Sequence, residues 1–112
     1  MQEQLCSDKA KYYQLEPYST ILSAIGRGCK NARHKKQLVR LTGMNERALR
    51  KSIEHLRREN FVIISDENGY YFPQSQKELE IYVQTVSKRA RSTFYTLKSA
   101  RQMLKAMQEN AE

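Results

Sequence analysis

The segment "LTGMNERALRKSIEHLRREN", residues 41–60, decides the fold. Its apolar residues Leu49, Ile53 and Leu56 recur at positions i, i+4 and i+7, so they share one face of a helix. We predict a helix over about residues 46–60 with this stripe facing the core. Cationic residues stand between the apolar positions, so the opposite face of the helix is strongly charged.

A tight turn is predicted immediately before that helix. Gly43 can take the positive φ that ends a preceding helix, and Asn45 is a favoured N-cap residue. Upstream, "KKQLVRLTG" predicts a short helix over about residues 35–42, with Leu38 and Leu41 on its core side. The centre of the chain is therefore expected to hold two helices joined by a short turn.

The first third of the chain predicts an arm and one further helix. The polar residues 1–16 are expected to form the arm, with a short helical turn near residues 9–15. A helix is predicted from about Tyr18 to Arg27, because Pro17 suits a first helical position. Its core residues are expected to be Ile21, Leu22 and Ile25, and the glycines that close it Gly26 and Gly28.

After residue 60 the apolar period changes. "FVIIS" and "YYF" predict β-strands over about residues 61–65 and 70–73, and the Asn-Gly of "DENG" between them is a strong hairpin signal. Ser75 and Glu78 then have the spacing of a capping box. Because no Gly or Pro follows, a last helix is predicted over about residues 76–108, about 50 Å long.

The apolar residues of this last helix alternate four and three residues apart, which is a heptad seam. The seam predicts a homodimer through a coiled coil. Packing back on the domain is one alternative. Binding an acidic partner, or phosphate, is another, because the helix has six cations and no acid between Glu80 and Glu109. The predicted dimer interface is Leu79, Val83, Val86, Ala90, Leu97 and Leu104, and the seam also includes Thr93, Ala100 and Met107.

Composition points to a polyanionic partner. The chain has 112 residues, which suits one domain, and a net charge of +8. Between Arg27 and Arg58 stand eleven Lys and Arg and only two acids, so the whole positive excess lies in this stretch. Such a concentration favours a nucleic acid as partner, because neutralising phosphates releases counterions.

Other classes of protein lack support in the sequence. No apolar run approaches the roughly 20 residues of a membrane span, and the N-terminus has no signal-peptide core, so we expect a cytoplasmic protein. Cys6 and Cys29 are expected to be free thiols, with one disulfide as the alternative, and Cys29 to be buried. These cysteines with His34 and His55 lack zinc-site spacing, and no catalytic set is present. We therefore expect no metal, no cofactor and no enzymatic activity.

The order of predicted elements resembles the winged helix-turn-helix family over about residues 18–73. The matching pieces are Thr42-Gly43-Met44, the helix from Asn45, and Gly69-Tyr70-Tyr71-Phe72. The family often has Gly just before the first wing strand; Asn60 stands there in this chain and tolerates a left-handed conformation. The layout is also similar to small proteins of phages and integrative elements of Gram-positive bacteria.

The resemblance implies a mainly α fold with a small β-hairpin. It comprises an N-terminal arm (1–16), a winged helix-turn-helix domain (17–74) and a long C-terminal helix (75–112) for dimerisation or partner binding. It also implies a sequence-specific double-stranded DNA-binding protein, a transcriptional regulator of a phage or mobile element. Its recognition helix, about residues 45–59, would lie in the major groove.

The residues opposite the apolar stripe are suited to that role, since Arg can bond both acceptors on the guanine edge. The acidic hairpin tip is expected to be a secondary contact. The predicted DNA-binding residues are Arg33, Lys35, Lys36, Asn45, Arg47, Arg50, Lys51, Glu54, Arg58 and Asn68.

Three alternatives stay open at this stage. The charged face of the helix could be only a solvated surface. The same domain could serve a replication, recombination or DNA-transfer accessory factor that binds an origin or attachment site. Alternatively, the winged helix could be a scaffold for a protein-binding inhibitor.

Overall fold

The computed structural model describes residues 9–111. The fold is mainly helical, with a two-stranded antiparallel hairpin and a long C-terminal helix, as the sequence predicts. The chain forms two compact units, one ending at Glu78 and one beginning at Leu79. In chain order the elements are a 3-10 helix (Lys11–Tyr13), α1 (Tyr18–Ala24), a 3-10 helix (Cys29–Asn31), α2 (Lys35–Thr42), α3 (Glu46–Arg58), β1 (Ile64–Asp66), β2 (Gly69–Tyr71) and α4 (Gln76–Asn110).

The core of the first unit forms around α3. Leu49, Ile53 and Leu56 are almost completely buried, which confirms the predicted stripe. Each such side chain contributes about 1.5–3 kcal/mol by leaving water. The stripe packs within a core that α1, α2 and the hairpin region complete with Ile21, Leu22, Ile25, Leu38, Phe61, Ile63, Ile64 and Tyr71.

The turn between α2 and α3 forms as the sequence predicts. Gly43 has a φ of 73°, and its N–H donates to the carbonyl of Val39. The Thr42 hydroxyl donates to the Leu38 carbonyl at 2.7 Å and accepts from the Met44 N–H at 3.2 Å. The Asn45 side chain then accepts from the Ala48 N–H at 2.8 Å. One hydroxyl and one amide side chain therefore fix the end of α2 and the start of α3.

The first helix ends three residues before the predicted Arg27. Ile25 is extended, because the next residues bond to the chain after β2. The Phe72 N–H donates to the Gly26 carbonyl at 2.9 Å, and the Gly28 N–H donates to the Phe72 carbonyl at 2.8 Å. These long-range bonds replace the last helical turn that local pattern predicts.

The predicted first strand, residues 61–65, begins later than expected. Asn60 takes the left-handed conformation, with a φ of 74°. The Phe61 N–H then donates to the Leu56 carbonyl, and the Ile63 carbonyl accepts from the Arg57 guanidinium. Because their backbone groups bond to α3, residues 61–63 lie outside the strand, and the hairpin proper starts at Ile64.

The hairpin pairs Ile64 with Tyr71 and Asp66 with Gly69 around a two-residue loop. The Asp66 carboxylate accepts from the Asn68 N–H at 2.8 Å and from the Tyr71 hydroxyl at 2.6 Å. This second bond raises the pKa of Tyr71 well above its usual value. Asp66 therefore serves the hairpin itself, and Glu67 is the acid left at its tip.

Two expectations about burial are wrong. Leu41 is 55% exposed, because α2 reaches the core through Leu38 and places Leu41 in an open groove beside Ser19 of α1. Cys29 is an exposed free thiol, because it begins a surface 3-10 helix. Tyr12, in the predicted arm, is buried, and its hydroxyl shares a hydrogen bond with the His55 ring at 3.1 Å, a contact for which the sequence has no signal. Residues 1–8 of the arm, including Cys6, lie outside the described residues.

Residues at the start of α4 form hydrogen bonds within the first unit. The Ser75 hydroxyl accepts from the Glu78 N–H at 3.1 Å, as the predicted capping pair requires. The Glu78 carboxylate accepts from the N–H groups of Gln74 at 2.9 Å and Cys29 at 3.0 Å. These bonds, that to Gln74 first, lower the pKa of Glu78.

Candidate nucleic-acid interface

The outward face of α3 is a row of exposed charged side chains. Arg47, Lys51, Glu54 and Arg58 follow each other at four, three and four residues, directly opposite the buried stripe. Arg50 is also exposed and lies at the edge of this row. We call these five residues the α3 face; it holds four cations and one acid.

The cations of the α3 face have no acidic partner within the described residues. The ion pairs found in residues 9–111 are Lys35–Glu46 and His55–Glu59, and neither includes a member of the face. Glu54 therefore does not hold one of the neighbouring arginines in an ion pair. The four cations keep their charge available to an external anion.

The start of α3 lies beside this face and has its own polarity. Free N–H groups of a first helical turn and the helix dipole favour an anion there. One of these groups, the Ala48 N–H, is already satisfied by the Asn45 side chain. Asn45 thus caps the helix, so its side-chain oxygen is engaged in the fold.

The predicted contacts before and within α2 are partly engaged in local structure. His34 caps α2, since its Nδ1 accepts from the Lys36 N–H at 3.4 Å and its own N–H donates to Gln37 at 3.1 Å. Lys35 lies 3.7 Å from the Glu46 carboxylate, which joins the starts of α2 and α3. Lys36 is exposed and forms no such pair within the described chain, so it keeps its charge for an external partner.

Two arginines near the α3 face have structural contacts. Arg33 pairs through its backbone with Tyr70, and its Nε donates to the Ala24 carbonyl at the end of α1 at 3.0 Å. Arg57 donates twice to the Ile63 carbonyl, at 2.9 and 2.7 Å. Arg33 was among the predicted DNA contacts, whereas the structural role of Arg57 had no signal in the sequence beyond its position one residue before Arg58.

The hairpin tip presents Glu67 and Asn68, both exposed. The Asn68 N–H donates to the Asp66 carboxylate, and Asn68 belongs to the two-residue loop of the hairpin. An acid at the tip repels phosphate, so the electrostatic preference for a polyanion lies with α2 and α3 rather than with the hairpin.

The predicted dimer seam lies along α4 and is open. No residue described in α4 is buried, and Leu79, Val83, Val86, Leu97 and Leu104 are 38–56% exposed. Ala90 is exposed as well. An exposed, repeated apolar stripe is the feature that a second helix would bury.

No group of three or more potential metal-ligating side chains occurs in residues 9–111. Within the same range, no helix combines the length and apolar character needed to cross a membrane. Comparisons of the chain with protein-family models, curated proteins and solved structures found no match. The candidate site is therefore defined by its own geometry and charge.

Proposed function

We propose that the chain is a sequence-specific double-stranded DNA-binding protein of the winged helix-turn-helix type. In this proposal α2, the turn at Gly43 and α3 form the helix-turn-helix, and the hairpin is the wing. The α3 face enters the major groove, while Lys36 and the start of α2 approach phosphates.

The observation that supports this proposal most is the α3 face itself. Four cations stand on the solvent side of a helix whose other side is fully buried, and within the described residues none of them has an acidic partner. The buried apolar stripe holds α3 in place on the core. This rigidity suits major-groove readout, because readout requires side chains that are held in a fixed register. Arg47 and Arg50 lie nearest the N-terminus of α3, the end that reaches base edges in helix-turn-helix docking.

Charge alone predicts a measurable salt dependence. Lys36 and the four cations of the α3 face would give up to five phosphate or base contacts. If four or five of these neutralise phosphates, the logarithm of affinity falls with the logarithm of salt concentration with a slope of about −4. A slope near zero would contradict phosphate contact.

The experiment compares two double variants by fluorescence anisotropy on a labelled duplex across a salt series. Arg50→Ala with Lys51→Ala removes two cations from the α3 face and is expected to weaken binding by at least about tenfold. Arg27→Ala with Lys30→Ala removes the same charge from the connection between α1 and α2, where both residues are exposed. Equal losses in the two variants would mean diffuse attraction and would reject the recognition role of α3.

The same proposal includes a homodimer through the seam of α4. Two copies would present two α3 faces to DNA half-sites about one helical turn apart. The open heptad stripe supports this proposal, since an exposed stripe of that regularity has little use in a monomer.

The biological role is proposed from the resemblance, as a transcriptional regulator of a phage or mobile element. An accessory factor of replication, recombination or DNA transfer would use the same binding chemistry. A reporter placed behind a selected site separates the two roles. A regulator changes transcription of the reporter, whereas an accessory factor leaves it unchanged.

A further inference from the structure

Four of the six cations in the unit that begins at Leu79 lie on one flank of α4. Arg91, Phe94, Lys98, Arg101 and Lys105 are spaced three, four, three and four residues apart, so they form one row along the helix. We call this row the cationic flank; it is about 21 Å long at 1.5 Å per residue. It lies beside the heptad seam.

The other flank of α4 has one cation, Arg89, and four hydroxyl side chains at the corresponding positions. Thr85, Ser92, Thr96 and Ser99 stand there. The Thr85 hydroxyl donates to the Ile81 carbonyl at 2.9 Å, and the Thr96 hydroxyl donates to the Ser92 carbonyl at 3.2 Å. Four of the six cations in residues 79–112 therefore lie on the cationic flank, and Lys88 and Arg89 lie on other sides of the helix.

The cationic flank contains a groove with an apolar floor. The groove has a volume of about 290 Å³ and is lined by Phe94, Leu97, Lys98, Arg101, Gln102 and Lys105. Phe94 is 61% exposed and presents its ring to water, whereas Leu97, 43% exposed, belongs to the heptad seam and borders the groove on that side. Three of its six lining residues, Lys98, Arg101 and Lys105, are cationic.

No described acid neutralises the cationic flank. The two ion pairs of residues 9–111 lie in the first unit, and the sequence has no acid between Glu80 and Glu109. These cations are available to an acidic molecule, and a partner that also covers the Phe94 ring would remove apolar surface from water.

We propose that the cationic flank of α4 binds an acidic amphipathic segment of another protein, with an apolar side chain in the groove and carboxylates on Lys98, Arg101 and Lys105. The cations favour a partner segment that carries carboxylates, and the apolar floor of the groove favours an apolar side chain on that segment. A DNA duplex offers the charge, but its phosphates are solvated and would leave the Phe94 ring uncovered. A second copy of α4 offers apolar residues, but its flank has the same sign.

A single-stranded nucleic acid is the nearest competitor, since bases stack on aromatic rings between cations. The groove floor is made of the Phe94 ring, Leu97 and the methylene stems of the cations, and one ring supports only one stacked base. A branched aliphatic side chain fills such a groove more completely.

The test uses the full chain and fluorescence anisotropy of labelled probes. One probe is a helical glutamate-rich peptide with leucines at i, i+3, i+4 and i+7. A second has the same glutamates with serine in place of leucine. The third is an oligothymidylate single strand. We expect the first probe to bind about tenfold more tightly than the second, because only the first fills the groove.

Variants separate site binding from net charge. Lys98→Glu with Arg101→Glu should weaken binding of the leucine-containing peptide by about tenfold or more. Lys88→Glu with Arg89→Glu makes the same charge change on other sides of α4 and should weaken it by less than about threefold. Phe94→Ala should weaken binding of the leucine-containing peptide and leave binding of the serine-containing peptide unchanged. Duplex binding should change by less than about threefold in all three variants.

Several outcomes would overturn the proposal. Equal losses in the two charge-reversal variants would show diffuse attraction, and absence of binding by the leucine probe would remove the partner class. Tighter binding of the single strand, lost on Lys98→Glu with Arg101→Glu, would assign the flank to nucleic acid. A change in light-scattering mass in Phe94→Ala would assign the groove to a second copy. Circular dichroism of each variant checks that α4 is intact.

Discussion

Arg57 and Arg58 are neighbours of the same type at the end of α3, yet their surroundings differ, and the proposed function gives them different roles. Arg57 is half-buried and donates from Nε and Nη2 to the Ile63 carbonyl, with a third bond from Nη2 to the Ser65 hydroxyl at 3.2 Å. Arg58 is exposed and continues the α3 face. Arg57→Ala should therefore destabilise the fold, whereas Arg58→Ala should weaken DNA binding.

The magnitude for Arg57→Ala follows from its acceptor. Ile63 is fully buried, so its carbonyl has little access to water once the guanidinium is gone. Loss of a charged donor to a buried carbonyl costs about 1.5–3 kcal/mol, and the bond to exposed Ser65 adds little. We expect the free energy of unfolding to fall by about 2 kcal/mol, which for a unit of this size lowers the melting temperature by about 10 °C. Arg58→Ala should change the free energy of unfolding by less than about 0.5 kcal/mol.

The assay is thermal unfolding followed by near-ultraviolet circular dichroism, which reports the buried tyrosines Tyr12 and Tyr71 of the first unit. DNA affinity is measured in parallel, at a temperature where both variants are folded. Equal melting shifts in the two variants would refute the structural role of Arg57. If folded Arg57→Ala loses more DNA affinity than Arg58→Ala does, the proposed DNA contact of Arg58 is refuted.

Three further predictions follow from contacts elsewhere in the chain. Gly69→Ala should lower the free energy of unfolding by at least about 3 kcal/mol, because the φ of Gly69 is 117° and a Cβ would collide with the Arg33 backbone carbonyl. Gly43→Ala should lower it by only about 1 kcal/mol, because the φ of Gly43 is 73° but the space around it is open. Chemical denaturation of the two variants checks both values. The lowered pKa of Glu78 means that its charged form stabilises the fold above its usual pKa of 4.5 and that this contribution is lost as the pH falls through the lowered value. Glu78→Gln should therefore lower the melting temperature at neutral pH and flatten its decline below pH 4.5. Val86→Asp with Leu97→Asp in the heptad seam should convert the proposed dimer to a monomer in light scattering; a wild-type chain that is already monomeric at high concentration would reject the dimer.

The helices of the first unit could be predicted well because their signals are local. The stripe of Leu49, Ile53 and Leu56 depends only on spacing, and the end of α2 depends on the conformational freedom of Gly43. The capping by Asn45 likewise involves a residue three positions away. Each of these interactions lies within one or two helical turns, so the sequence contains the whole pattern.

The errors arise where distant residues compete for the backbone. The end of α1 moves because Gly26 bonds to Phe72, and the first strand starts late because Arg57 takes the Ile63 carbonyl. Cys29 was expected in the core, but its N–H bonds to Glu78 on the surface. None of these pairings has a spacing signal, since the partners are separated by turns of unpredicted geometry.

The candidate site shows the same division. Periodicity predicted that Arg47, Lys51 and Arg58 share one exposed face, and the structure confirms that exposure. It did not predict that Arg33 bonds to the end of α1 or that Lys35 pairs with Glu46. Charge counting treats all these cations alike, and only tertiary contacts separate those that stabilise the fold from those that remain available to a partner.

In vitro selection of duplexes by the full-length protein tests the central claim most directly. Repeated rounds from a random pool at physiological salt should enrich one short motif, and a dimer should enrich two copies about one helical turn apart. The variant Arg50→Ala with Lys51→Ala should then bind the selected duplex at least about tenfold more weakly than the wild-type chain. A pool that stays random, or a selected duplex that the variant binds as tightly as the wild-type chain, would contradict the account.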